Sequence, residues 1–357
     1  MERDWFFWQI MKILITGAAG FLGLHLAKFF DKKGYDLILL DIADFDKKEY
    51  PKACKFVKAD VRDIQSINRL VKEADIVIHA AAALPLWKKK EIFSINIEGT
   101  KNLLSASFES KVKQFIFISS TAVYGVPKKH PIVETDPLIG VGPYGESKIM
   151  AEKLCEKYRK KGLTVTVIRP KTFVGTHRLG VFEILFDWIK DGKKIPVIGS
   201  GSNRYQLLDV DDLVEAIYLL LTIEDQQKTN QTFNMAAEKF TTVSQDLQVL
   251  FNFAGSGSKL IKTPAFLVKK ALWLFEKLAL SPLYQWVYDT ADRDSYVSIN
   301  RLIETLNWHP RYSNSQALIK AYQWYLENYK EIKSRGAGVT HTVGWKQGIL
   351  GLFKKIL

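Results

Sequence analysis

A chain of 357 residues, 47% hydrophobic and 25% charged, has the composition of a folded protein and length for one large unit or two. Its formal charge of +13 is scattered over Lys88–Lys90, Lys128–Lys129, Arg159–Lys161 and further C-terminal lysines without a nucleic-acid motif, which speaks against nucleic acid as a partner. Two cysteines, Cys54 and Cys155, exclude a disulfide framework and point to a reducing, cytoplasmic setting, and no stretch approaches the ~20 apolar residues of a transmembrane helix.

The first ten residues contain acids and a very short apolar run, so they read not as a signal peptide but as an extension outside the fold or the product of an over-early start codon ahead of Met11. Met11 directly precedes "KILIT", a buried-strand pattern that runs into "GAAGFLG". A helical stretch follows from Phe21 to Lys33, and Gly34 stops it. "DLILLD", "CKFVKAD", "DIVIHAAA", "FIFISS" and "TVTVIRP" supply five further strands between helical patterns. This alternation predicts an α/β fold over residues 11–170, a doubly wound, Rossmann-like parallel sheet covered on both faces. After Pro170 the rhythm changes. "VFEILFDWIKDGKK" reads as a helix, and "LLDVDDLVEAIYLLL" returns the chain to the sheet domain over 204–225. Residues 171–203 and 226–330 then make a smaller, interleaved C-terminal domain that would hold substrate, followed by a basic tail, 331–357.

Two segments are amphipathic. In "PAFLVKKALWLFEKLAL", a helix places Lys269, Lys270, Glu276 and Lys277 on one side and leaves a broad apolar face. In the tail, Trp345, Ile349, Leu352, Phe353 and Ile356 share a face, and residues 333–357 contain no acid. Such helices either lie in a membrane interface, here as a peripheral contact at the inner face, or pack on a domain or a second subunit.

The turn "TGAAGFLG" spaces Gly17, Gly20 and Gly23 between a strand and a helix, and Phe21 and Leu22 open that helix. Glycines there allow a tight turn, close backbone approach to a pyrophosphate and tight helix–strand packing, while the helix N-terminus attracts the anion. Asp41 ends the next strand, where an acid accepts hydrogen bonds from an adenosine ribose and repels a 2′-phosphate. NAD is therefore expected over NADP. Asp60 and Val61 offer an acid and a backbone amide to adenine, although Asp60 equally suits the N-cap of a helix beginning near Ile64. The six histidines lack paired ligand spacing, so no metal is expected.

The ordered series "TGAAGFLG", "ADVRD", "HAAA", "NIEGT", "SSTAVYG", "YGESK", "RP", "VDDL" and "LNWHP" resembles the extended short-chain dehydrogenase/reductase family, from about Met11 to Tyr329. That group includes nucleotide-sugar epimerases and dehydratases. The resemblance implies that Tyr144 is the acid–base residue, that Lys148 is its partner and contacts the nicotinamide ribose, and that Ser120 orients the substrate oxygen. It also implies that Ala80 and Ala81 line the cofactor groove and that Asn96 supports the neighbouring helix. Tyr144 and Lys148 are four residues apart, hence on one helix face, so an ammonium beside the phenol is expected to lower its pKa.

Departures from the family pattern narrow the chemistry. Dehydratases of this kind carry Asp and Glu where this chain has Thr121 and Ala122, which argues against a sugar 4,6-dehydratase. Thr172 stands where many nucleotide-sugar enzymes have Asn, and Tyr205 and Gln206 fill the slots of a usual Arg-Asp pair, with the arginine shifted to Arg204. Thr121, Thr172, Arg178 and Arg204 are the substrate-side candidates, the arginines as diphosphate ligands. The expected function is NAD-dependent epimerisation of a nucleoside-diphosphate sugar through a transient keto intermediate, in a homodimer. The alternatives are a dehydrogenase or reductase of a lipophilic, hydroxysteroid-like alcohol at a membrane surface, and a non-catalytic NAD-binding scaffold.

Overall fold

The structure, a computed structural model, describes residues 11–278, 283, 285–334 and 347–356. The expected N-terminal extension and Trp345 lie outside the described residues.

The first half alternates as its apolar runs predict. β1 (Lys12–Thr16) leads through α1 (Phe21–Lys32) to β2 (Asp36–Asp41) and β3 (Lys55–Lys58). α2 (Ile64–Val71) then returns the chain to β4 (Ile76–His79). α3 (Lys89–Phe93), a π-helical turn at Ser94–Gly99 and α4 (Thr100–Glu109) precede β5 (Gln114–Ile118). α5 (Gly142–Lys160) connects to β6 (Val165–Pro170). The runs at Ile13–Ile15, Leu37–Leu40, Ile76–Ile78 and Phe115–Ile118 are buried continuously, as helices on both faces require.

The second half departs from that rhythm. It contains β7 (Phe173–Val174), α6 (Val181–Lys190), β8 (Ile195–Ile198), β9 (Leu208–Asp209), α7 (Val210–Thr222), β10 (Thr232–Met235), α8 (Val243–Ala254) and β11 (Leu260–Thr263). α9 (Ala265–Lys277), α10 (Gln285–Thr290), α11 (Asn300–Leu306), α12 (Asn314–Glu327), α13 (Tyr329–Ser334) and α14 (Ile349–Ile356) follow.

The main sheet is parallel with order β10-β6-β5-β4-β1-β2-β3. The chain therefore winds outward in opposite directions from β1 and β4, and the strand ends between them open a cleft where such sheets bind ligands. One edge differs from the expected division of the chain. β10 lies in the stretch assigned to the second domain, yet it pairs with β6, Thr232 opposite Val167 through Met235 opposite Pro170. Four residues reading "TFNM" carry no periodic signal, and only the pairing reveals them as a sheet strand.

Beyond the sheet, α6, α8 and α12 share a core that includes Phe186, Trp188, Leu250, Phe251, Ala317, Tyr322 and Tyr325. α14 closes onto it. Lys354 Nζ donates to Asp187 at 2.5 Å and to Asp191 at 2.6 Å, Trp188 Nε1 donates to Gln347 at 3.1 Å, and Leu350 packs on the same core. The described part of the tail thus rests on the body of the protein through Gln347, Leu350 and Lys354, while Leu352 and Phe353 of the expected apolar face stay exposed. No described helix is long and apolar enough to cross a membrane.

Candidate active site

The glycine turn between β1 and α1 is shaped by contacts that tolerate no side chain. Gly17 has φ +70°, and a Cβ there would meet the Ala81 nitrogen at 2.6 Å. A Cβ on Gly23 would meet Ala18 Cα at 2.4 Å and the Gly17 carbonyl oxygen at 2.5 Å, so the first turn of α1 rests directly on the loop. Gly20 is the N-cap, and the first turn has no acid to compete for an anion. The turn fits a diphosphate.

Asp41 ends β2 and ties this turn down. One of its oxygens accepts from Ala19 N and the other from Ala43 N, both at 2.9 Å. Burial raises its pKa, while the Ala43, Ala19 and Ile42 amides pull it back. Gly17, Gly20, Phe21, Leu22, Asp41, Asp60, Val61, Ala80 and Ala81 line one cavity, and Gly23 stands behind them in the helix. Of the two options for Asp60, the helix N-cap is taken by a neighbour, while Asp60 itself lines the cavity. Asp63 is the N-cap of α2, accepting from Gln65 N and Ser66 N. The Asp60 carboxylate is held by the Arg62 guanidinium, with a shortest contact of 2.6 Å, and those hydrogen bonds keep its pKa below the usual carboxylate value.

Tyr144 and Lys148 sit in the first two turns of α5, and both line this cavity with Ser120. Their electrostatics differ from the expectation. Burial raises the Tyr144 phenol to about 12, and the opposing influences are the Ser120 hydroxyl and Arg178 rather than Lys148. The reason is geometric: Lys148 Nζ donates to the Ile118 carbonyl at 2.8 Å and lies 5.9 Å from the Tyr144 ring centroid. Burial also lowers Lys148 to about 8, against upward pulls from Glu152 and Cys155.

A buried scaffold fixes this helix. Asn96, within the π-helical turn, accepts from Ala83 N at 2.8 Å and donates to Ser147 Oγ at 2.9 Å, clamping the loop after β4 to α5. Glu152, one turn beyond Lys148, takes Ser119 Oγ at 2.5 Å and the Arg169 guanidinium at 2.5 Å, and Arg169 also donates to the Tyr124 hydroxyl at 2.7 Å. Glu152 and Arg169 are absent from the sequence-based candidates. Their signals were the i+4 continuation of the Tyr144–Lys148 face and the arginine of "RP".

The cavity measures about 880 Å³ and extends past the phenol to the second half of the chain. Thr121, Thr172 and Arg178 line it, with the Arg178 guanidinium 5.1 Å from the Phe21 ring and 5.5 Å from the Phe173 ring. Arg204 is not brought there. It is exposed, and its guanidinium stacks between Phe240 at 4.6 Å and Tyr296 at 4.7 Å. Tyr205, which fills the slot of the missing arginine, does reach the cavity, 3.3 Å from Thr172 Oγ1 through its hydroxyl.

Lys171 is a further lining residue absent from the sequence-based candidates. Its buried ammonium donates to Ser295 Oγ at 2.7 Å and lies 4.6 Å from the Tyr205 ring, with no carboxylate partner among the described residues. Burial lowers it to about 7. Among the described residues, no group of His, Cys, Asp and Glu is placed to hold a metal ion.

Known proteins resemble this chain in sequence and in fold. Residues 13–236 match the model of the NAD dependent epimerase/dehydratase family. An uncharacterized protein y4nG of Sinorhizobium fredii is 33% identical over 95% of this chain and 84% of its own. UDP-glucose 4-epimerase of Lactobacillus helveticus is 32% identical over 63% of this chain and 76% of its own. The human dTDP-D-glucose 4,6-dehydratase is 27% identical over 90% and 92%. The crystal structure of UDP-glucose 4-epimerase with UDP-glucose from Thermotoga maritima superposes with a TM-score of 0.75 at 25% identity, covering 89% of this chain and all of that one. These similarities do not favour the lipophilic-alcohol alternative.

Proposed function

The chain belongs to the NAD-dependent epimerase/dehydratase family, with NAD as its cofactor, and from that premise we propose that it inverts a hydroxyl-bearing carbon of a nucleoside-diphosphate sugar. The observation that supports this most is the meeting of the Gly17 turn, Ser120, Tyr144 and Lys148 in one cavity, with Thr121 and Ala122 where a dehydratase would need an acid and a base. The other carboxylates lining the cavity sit at the ends of β2 and β3 or on α8 and α9: Asp41, Asp44, Asp60, Asp246 and Glu276.

NAD, when bound, supplies a reversible acceptor for the carbinol hydride and a positive charge in its oxidised ring. Gly17, Gly20 and Gly23 with the N-terminus of α1 hold the diphosphate, Asp41 receives the adenosine ribose, and Ala80 and Ala81 line the groove. Tyr144 removes the hydroxyl proton at its phenol oxygen and returns it after the sugar has turned over. Ser120 holds the reacting oxygen beside that phenol. Lys148, fixed by Ile118 and presenting further ammonium donors, holds the nicotinamide ribose. Since burial keeps the phenol near 12, added positive charge beside it is what makes it a base near neutral pH. Arg178 and Thr172 contact the substrate, with Arg178 on the diphosphate.

The test is to incubate the purified protein with UDP-glucose, UDP-galactose and UDP-glucuronic acid separately and follow the sugar ring by NMR. Epimer formation from either side of the equilibrium, without net absorbance of reduced cofactor and abolished by Tyr144→Phe, is the expected result. A 4-keto-6-deoxy product, stoichiometric reduced cofactor, or unchanged epimerisation by Tyr144→Phe would overturn the assignment.

A further inference from the structure

α9 leaves most of its large apolar side chains exposed or half-buried. Within this helix, all of whose residues are described, Leu272 alone is buried. Phe266 is 68% exposed, Leu267 62%, Trp273 48% and Leu274 49%, and Leu278 at its C-cap is 58% exposed. At 100° per residue these side chains, with Ala271, spread over one broad face. A face of this size and continuity on a folded protein marks an interaction surface.

The charges on α9 divide by direction, where the sequence pattern places all four on one side. The two that face the protein are engaged: Lys269 Nζ bonds Asp292 at 2.5 Å, and Glu276 accepts from the Tyr288 hydroxyl at 2.5 Å. The two on the outward face are lysines. Lys270 Nζ lies 4.7 Å from the Phe266 ring and Lys277 Nζ 4.1 Å from the Trp273 ring, so each ammonium rests over an exposed aromatic ring of the same face. The outward face carries no acid among the described residues.

We infer that α9 seats the protein on an anionic lipid surface, with Phe266, Leu267, Trp273 and Leu274 in the headgroup–acyl boundary and Lys270 and Lys277 against the headgroup charge. Charge complementarity selects this occupant. A second copy meeting the same face across a two-fold axis would oppose lysines to lysines with no acid between them. The site is a working part of the molecule rather than a remote patch, because the α9–α10 segment also supplies Glu276, Val287 and Ala291 to the cavity wall. The inference stands independently of the reaction proposed above.

Flotation of the full chain with phosphatidylcholine vesicles, with and without phosphatidylglycerol, tests it. The expected result is capture by the anionic vesicles only, weakening as salt is raised. Phe266→Ser with Trp273→Ser should lower the vesicle partition coefficient by roughly tenfold or more while the thermal melt and NAD binding stay unchanged. Lys270→Glu with Lys277→Glu should abolish the preference for anionic vesicles. Absence of capture by anionic vesicles would overturn the inference, as would equal flotation of the Phe266/Trp273 variant. So would light scattering that shows a lipid-free dimer dissociated by those same substitutions, since a second copy would then cover the face.

Discussion

Replacing Ser120 by Ala removes the larger of the two influences that lower the Tyr144 phenol. Proton abstraction requires the phenolate, so activity rises with pH as that group ionises. Losing a contact that favours the phenolate raises the pKa, and the rising limb of kcat/KM should move to higher pH in Ser120→Ala, with kcat reduced. A pH profile of kcat/KM checks this, and an unmoved limb would separate Ser120 from the phenol. Lys171 tests a second buried charge. Its folded pKa of about 7 lies below the ordinary 10.5, so the fold disfavours its ammonium. The unfolded chain binds the extra proton between those values, so stability rises with pH across that window by about 1.4 kcal/mol per unit. The penalty is complete below about 7. Lys171→Met should therefore raise Tm most at neutral pH, with the gain shrinking towards pH 10.5. Melting curves across that range decide it, and a pH-independent gain would mean that the ammonium is not the source of the cost.

At the scale of elements, the seating of α1 on the glycine turn can be broken by one methyl group. A Cβ at residue 23 would overlap backbone atoms of Ala18 and Gly17, which cannot rotate away, so the helix must lift. Gly23→Ala should cost roughly 1–3 kcal/mol of stability and weaken NAD binding, read from a thermal melt and a cofactor titration. Retained affinity at an unchanged Tm would show that the helix need not sit so close. This turn was legible in the sequence because glycine spacing, strand and helix coincide within a dozen residues. β1, β2, β4 and β5 were legible for a related reason: burial on both faces leaves largely apolar runs. Other features depend on residues distant in the chain. Arg204 is stacked by Phe240 and Tyr296, the latter more than ninety positions away, and no local pattern distinguishes it from an arginine aimed at a diphosphate. The i+4 spacing put Lys148 beside Tyr144 correctly but could not show that the Ile118 carbonyl would claim its ammonium. Lys171 was overlooked because a lysine at a strand end reads as solvated until the fold buries it.

At the scale of the whole molecule, both amphipathic segments leave apolar side chains exposed, Leu352 and Phe353 on the tail included, and they differ in how their lysines are placed. α9 keeps Lys270 and Lys277 outward, whereas α14 brings Lys354 onto Asp187 of α6 and Asp191 at its C-cap. Burial pushes Asp187 up, but hydrogen bonds from Lys354 and Lys333 outweigh it and leave the carboxyl at about 2. A carboxyl depressed in the fold contributes stability that is present above its unfolded value near 3.8 and lost as pH falls towards 2. Lys354→Met removes one of the two ammonium groups while keeping the stem, and Asp187 retains Lys333 and the Tyr325 hydroxyl. The expected loss is roughly 1–3 kcal/mol at neutral pH, a fall of a few degrees in Tm. Because the lost interaction requires the ionised carboxylate, the gap between parent and variant should narrow between about pH 4 and pH 2. Paired melts at neutral and acidic pH check both parts. Equal melting at neutral pH would mean that the tail is not held by this contact, and a gap of constant size would place its origin in the packing of the lysine stem instead of its charge.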